Sequence, residues 1–189
     1  GLQKDKLDSG LKWIKANGVP NYFGNQRFGT DGTNWIDGKK ILEGKLKIRD
    51  KKTREFLIGS YQSYLFNHWL SKRMELNLML EKFTEEETEK FMDLPQGSLK
   101  GTKKQPHFYK LLQGDLMMHY PYGRLFEAED LQEEAERFMS KDIAPTGLVP
   151  GSKTKRASGV ARIIESQFDE EMNLYGARRY AWIQVGDIN

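Results

Sequence analysis

The 189 residues include no cysteine, which excludes a disulfide framework and a thiolate site. Histidine is almost as scarce. His68, His107 and His119 lie far apart without partners at metal-ligand spacing, so no metal is assigned and no cofactor is expected. The glycines of residues 24–32 are not followed by a phosphate-binding lysine, and no serine sits in a nucleophile elbow. No apolar run is long enough to cross a bilayer, and the first six residues lack a signal-peptide core, which suits a cytoplasmic protein with no membrane partner. A hydrophobic fraction of 38% nevertheless supplies a folded core for one domain or one and a half.

Charge is short of one sign in places rather than overall. Residues 1–73 carry +8, residues 74–142 carry −6, and residues 143–189 carry +1. The basic part includes Lys39, Lys40, Lys45, Lys47, Arg49, Lys51 and Lys52, joined later by Lys153, Lys155 and Arg156. Such clusters follow a phosphate backbone or merely solvate helix ends. The same basic segment holds an aromatic loop of the kind RNA recognition needs, which favours nucleic acid. An acidic protein-docking domain over residues 74–142 is the reading that predicts no such affinity.

That loop, residues 18–29, reads Gly-Val-Pro-Asn-Tyr-Phe-Gly-Asn-Gln-Arg-Phe-Gly. Its glycines and proline shape the backbone, Tyr22, Phe23 and Phe28 offer ring faces, and Asn21, Gln26 and Arg27 offer polar heads. It is either a shaped recognition loop or a well-capped turn packed under the next helix.

Apolar periodicity predicts a mixed α and β chain in which helices dominate. A short helix capped by Asp8 or Ser9 runs through Trp13 to Asn17-Gly18, and a second starts at Thr33 or Asn34 and closes at Gly44. Asp50 opens the clearest helix, with Leu57, Ile58, Tyr61, Leu65, Trp69 and Leu70 on one stripe to Arg73 or beyond. Ser60, Tyr64 and Asn67 share a flank of it, facing a cleft or capping neighbouring loops. Residues 84–93 predict an acidic helix with a solvated face, and residues 94–105 a mobile connector. A β-hairpin is expected around Pro121-Tyr122-Gly123, with Met117 and Met118 in the core. An amphipathic helix follows over residues 130–139, and Pro145, Gly147, Pro150 and Gly151 predict a loop. A last helix from about Ser166 past Tyr175 precedes a strand over residues 178–185.

Residues 18–29 resemble, without a gap, the signature of the TruD family of tRNA pseudouridine synthases. Ser63-Tyr64-Leu65-Phe66-Asn67 with Arg73, and Pro145-Thr146-Gly147-Leu148-Val149-Pro150-Gly151, agree with the same family in the same order. The resemblance implies an enzyme that isomerises uridine to pseudouridine in tRNA, typically at uridine-13, without cofactor or metal. A catalytic aspartate attacks a flipped-out nucleotide, and Asn21, Tyr22, Phe23, Gln26, Arg27 and Phe28 form a wall of the pocket. Arg27 would pair with the aspartate or with a phosphate.

The resemblance also implies a helix-rich inserted domain with a small sheet over residues 50–165, flanked by catalytic-domain edges at 1–49 and 166–189. The family's aspartate lies in a motif well upstream of the signature. Lys4-Asp5-Lys6 imitates part of it, but the glycine is misplaced and the spacing is too short, so Asp5 is a weak match and the catalytic residue stays unassigned. The chain is accordingly expected to be inactive alone. A non-catalytic RNA-binding module is the alternative reading of the same basic and aromatic features.

Overall fold

Helix α1 (Leu2–Asn17) ends in the computed structural model, which describes residues 2–185, where Gly18 takes a positive φ of 78°. The Gly18 N–H returns to Ile14 O at 2.8 Å, as the Asn17-Gly18 pair predicts. The start differs from the expected Asp8 or Ser9 cap. Leu2, Gln3, Lys4 and Lys6 are good helix formers, and the Ser9 hydroxyl donates to Asp5 O inside the helix instead of capping it.

Strand β1 (Val19–Pro20) is followed by the rest of the signature loop and by α2 (Asn34–Leu42). Helix α3 (Lys51–Lys82) is about 48 Å long at 1.5 Å per residue. Asp50 caps it by accepting from Thr53 N–H at 2.7 Å. Phe66, Trp69, Leu70, Leu76 and Leu80 form its buried stripe and the spine of the main core. Helix α4 (Glu85–Phe91) has a reciprocal capping box between Thr84 and Glu87.

The acidic helix is not merely a solvated face, and residues 94–105 are not a loose connector. Buried Glu89 accepts from Gly97 and Leu99 N–H at 2.8 and 2.7 Å, and Glu85 accepts from Gly101 and Lys103 N–H at 3.0 and 2.9 Å. These carboxylates satisfy the turn amides that would otherwise face water, while Leu94 and Leu99 enter the core.

The expected hairpin is present as β2 (Leu116–His119) and β3 (Leu125–Glu127), and α5 (Leu131–Met139) is capped by Asp130. Met117 is fully buried, whereas Met118, also expected in the core, is only half-buried because it alternates to the other face of β2. The segment from Pro145 to Gly151, expected as loop, instead lies largely in β4 (Ile143–Val149), an inner strand of an antiparallel sheet ordered β3-β2-β4-β5, where β5 is Ala177–Tyr180. Burial overrides the turn signals. Pro145 has no N–H to give this ladder, but its carbonyl accepts from Ala181 N–H at 2.8 Å and the Ala181 carbonyl is satisfied instead by Asn21 N–H at 2.9 Å, while a Cβ on Gly147 would overlap the Trp69 indole.

Helix α6 (Gly159–Glu165) stops after a single turn of tighter helix, Ser166–Phe168, so no helix continues past Tyr175. Side-chain pairing ends it. Arg156 and Arg162 hold Asp169, while Glu165 is held by Arg178 at 2.6 Å and by Ala157 N–H at 2.8 Å. The final strand divides in two: β5 (Ala177–Tyr180) pairs with β4, and β6 (Trp182–Ile183) pairs with β1. The end of the expected 166–189 segment, residues 186–189, lies outside the described residues.

His107 ties α1 to this framework. Its Nδ1 accepts from Tyr109 N–H and its Nε2 meets Asn17 O, both at 3.0 Å, a pairing that requires the neutral ring with its proton on Nε2. Burial, assisted by Lys110, holds its pKa below the ordinary imidazole value. The folded state therefore binds fewer protons than the unfolded chain, so this stabilisation is complete above about pH 6.5 and shrinks as the pH falls below it. Thermal melts between pH 7.5 and 5 are expected to show that loss, and His107→Gln to flatten it. An equal slope in the variant would assign the loss to other groups.

Candidate functional site

The pairing of Val19 with Ile183 and of Pro20 with Trp182 brings the signature loop beside β5 and β6. Asn21 is held on every side. Its N–H donates to Ala181 O at 2.9 Å, its Nδ2 donates to Tyr180 O at 2.9 Å, and its Oδ1 accepts from Arg179 Nη2 at 2.8 Å. Its carbonyl accepts from Arg179 Nε at 3.2 Å.

The same Arg179 guanidinium lies 3.9 Å from the Phe23 ring centroid, and Phe23 meets Phe66 edge to face at 5.5 Å. Asn67 fixes the Phe23 backbone at both ends, accepting from its N–H at 2.8 Å and donating to its carbonyl at 3.0 Å. Ring, amide and cation are thus preset before any ligand arrives. Tyr22 projects elsewhere, with its hydroxyl 3.2 Å from Ser71 Oγ.

Arg27 is engaged with α3. Its Nε donates to Ser63 Oγ at 3.1 Å, its carbonyl accepts from Ser60 Oγ at 3.1 Å, and its guanidinium lies 5.7 Å from the Phe56 ring. No carboxylate is within ion-pair distance of it among the described residues. Gln26 is exposed, and Phe28 lines a cavity with Trp35, Tyr64 and Asn67. Of the flank on α3, Ser60 and Asn67 cap the loop, whereas Tyr64 stacks on Trp35 at 3.8 Å with planes 7° apart.

Two residues of this arrangement were not singled out by the sequence for this role. Asn67 stands in the second family-like stretch, but only the fold shows it gripping Phe23. Arg179 carried no signal beyond its place in a basic dipeptide, because its partners are some 158 residues away in sequence. Among the described residues no carboxylate lies within ion-pair distance of it, and burial lowers its pKa from the usual guanidinium range. A half-buried cation of this kind can meet an anion at the edge of the Phe23 ring.

The basic candidates divide. Lys39 and Lys45 reach Glu43 at 4.0 and 2.7 Å, Lys40 reaches Asp37 at 3.3 Å, and Lys51 reaches Glu55 at 3.8 Å. Exposed pairs of this type contribute about 0–1 kcal/mol, so a phosphate can displace them. Lys47, Arg49 and Lys52 are exposed and form no ion pair among the described residues. Lys153 lies 3.2 Å from the Tyr175 hydroxyl and Lys155 lies 4.0 Å from Glu127. Arg156 instead binds Asp169 through two nitrogens at 3.2 and 3.1 Å. Burial raises the Asp169 pKa, but Arg156 and Arg162 outweigh it and hold the carboxyl below its usual range.

Asp5 is exposed in the first turn of α1, about 20 Å along the helix from Gly18. Among the described residues no group of His, Asp or Glu is arranged to hold a metal, and no helix is long and apolar enough to cross a membrane.

No family model matches the chain. It is 52% identical over 179 residues to a tRNA pseudouridine synthase D from Nitratiruptor sp., a match covering 94% of this chain and 50% of that one. A protein of the same name from Sulfurimonas denitrificans is 50% identical over 184 residues, covering 97% of this chain and 52% of the relative. The chain therefore spans about half the length of the curated relatives it matches. The fold is similar to a crystal structure from Methanosarcina mazei described as tRNA pseudouridine synthase D. That match has a TM-score of 0.57 at 16% identity and covers 87% of this chain and 49% of the other.

Proposed function

The chain belongs to the TruD family of tRNA pseudouridine synthases, and from that premise we propose that it builds one wall of a site that isomerises uridine-13 of cytoplasmic tRNA. The reaction exchanges the glycosidic C–N bond of uridine for a C–C bond to carbon 5 of the same base. The carbon-5 proton is lost and the ring nitrogen gains one, so no oxidant, cofactor or metal is required.

The observation that carries this reading is the locked Asn21–Phe23–Arg179 assembly at the β1–β6 pairing. A base taken out of the RNA stack loses several kcal/mol, recovered by stacking on rings and by hydrogen bonds to its edge. Phe23 offers the ring and Asn21 the polar edge, both held in place by Arg179, and Lys47, Arg49 and Lys52 offer the charge along a phosphate backbone. Residues 1–49 and 166–189 then act as edges of the catalytic domain, with residues 50–165 as the insert.

The nucleophilic aspartate lies outside these 189 residues in this reading, because Asp5 is exposed on α1 far from Asn21. A protein of family length carrying this chain is expected to form pseudouridine on tRNA with uridine at position 13, and none when that position is cytidine. The 189 residues alone are expected to convert neither. Pseudouridine formed by the chain alone, read by mass spectrometry of the digested tRNA, would place the nucleophile within it.

A further inference from the structure

A second recess, distinct from the Asn21–Phe23–Arg179 assembly, opens where the loop turns toward α2. It is a cavity of about 460 Å³ with Asn25, Phe28, Asp31, Trp35, Tyr64 and His68 among its lining residues. That is within the size range of small-ligand sites. The side chains of Asn25, Asp31 and His68 are exposed and make no hydrogen bond to other described residues, so they are open to a ligand, in contrast to Asn67 beside them. Rings at hand and unspent polar heads are the features of a site for a planar, polar ligand.

The charge in the lining selects among such ligands. No lysine or arginine is present and Asp31 is negative, so a phosphate is repelled from the interior. A carboxylate only accepts hydrogen bonds, through two oxygens set side by side. Among the four RNA bases, guanine alone presents two adjacent donors on its pairing edge, the ring N1–H and the 2-amino group. Adenine and cytosine offer one amine beside an acceptor nitrogen. Uracil offers one N–H between two carbonyls that a carboxylate repels.

We propose that this cavity is a guanine subsite, in which Asp31 accepts from N1–H and the 2-amino group of an unstacked guanine while Phe28 and the neighbouring rings contact its faces. It would hold a base of the bound RNA other than the uridine that reacts. The proposal rests on the reading of the chain as an RNA-binding wall, but its test needs neither tRNA nor turnover. Failure of the guanine subsite is therefore distinguishable from failure of that reading.

The test is titration of the isotope-labelled chain with guanosine, adenosine, cytidine and uridine monophosphates, followed at the Trp35 indole N–H and assigned with Trp35→Phe. Guanosine monophosphate is expected to shift that signal at the lowest concentration. Asp31→Ala is expected to weaken it roughly tenfold or more, the loss of one two-pronged base contact. Asp31 is exposed and makes no hydrogen bond, so the variant is expected to fold, and its unchanged remaining spectrum verifies that. No Trp35 shift at millimolar guanosine monophosphate, an equal response to uridine monophosphate, or unaltered affinity in Asp31→Ala would each overturn the proposal.

Discussion

Asp115→Ala is expected to remove about 3–5 kcal/mol of stability, the cost of leaving one partner of a buried ion pair without the other. Arg73 and Asp115 are 0% and 2% exposed and meet through two hydrogen bonds of 2.7 and 2.8 Å. Arg73 also donates to Lys110 O at 2.8 Å and lies 4.9 Å from the Tyr109 ring centroid, while Asp115 accepts from Leu112 N–H at 2.8 Å. Burial works against the charge on Arg73, but Asp115 outweighs it and raises the pKa further above the ordinary guanidinium range.

Removing the carboxylate strands a cation that cannot shed its proton. It also frees the turn over residues 110–115 that the pair pins to α3. For a chain of this size each kcal/mol moves the melting temperature by about 2–4 °C, so circular dichroism should record a fall of roughly 10 °C. The double change Arg73→Met with Asp115→Ala is expected to recover much of it, because an apolar pair leaves no charge unpaired. A melting temperature within a few degrees of the parent in Asp115→Ala would show that water reaches Arg73.

Local chemistry made most helix ends legible, the start of α1 excepted: Asp50, Thr84 and Asp130 cap where their side chains dictate, and Gly18 and Gly44 terminate where positive φ is needed. The signature loop was legible as a shaped segment, because its glycines, rings and polar heads are close in sequence. What stayed hidden depends on partners far along the chain. The turn signals of Pro145 and Gly147 gave way to a strand because Trp69 and Ala181 lie against them, and residues 94–105 are ordered by Glu85 and Glu89 of the preceding helix. Likewise α6 stops short where Asp169 turns back to Arg156 and Arg162 and Glu165 is held by Arg178.

Arg179→Ala is expected to lower turnover about hundredfold with little change in melting temperature. Arg179 is a positioning residue in the proposed site: it grips the Asn21 carbonyl and Oδ1 and covers Phe23, so its loss frees both groups. A displacement of about 1 Å at reacting groups costs on the order of a hundredfold in rate. Stability changes less, because Asn21 keeps its bonds to Tyr180 and Ala181 and Phe23 keeps Asn67. Arg179→Lys is expected to rescue poorly, since an ammonium cannot make both bonds to Asn21 while lying flat on the ring. The deciding measurement is the single-turnover rate of pseudouridine formation at uridine-13 in a protein of family length carrying Arg179→Ala, beside the parent at saturating tRNA. The locked wall predicts a rate about a hundredfold lower in a folded variant; a folded variant that reacts within twofold of the parent would contradict it.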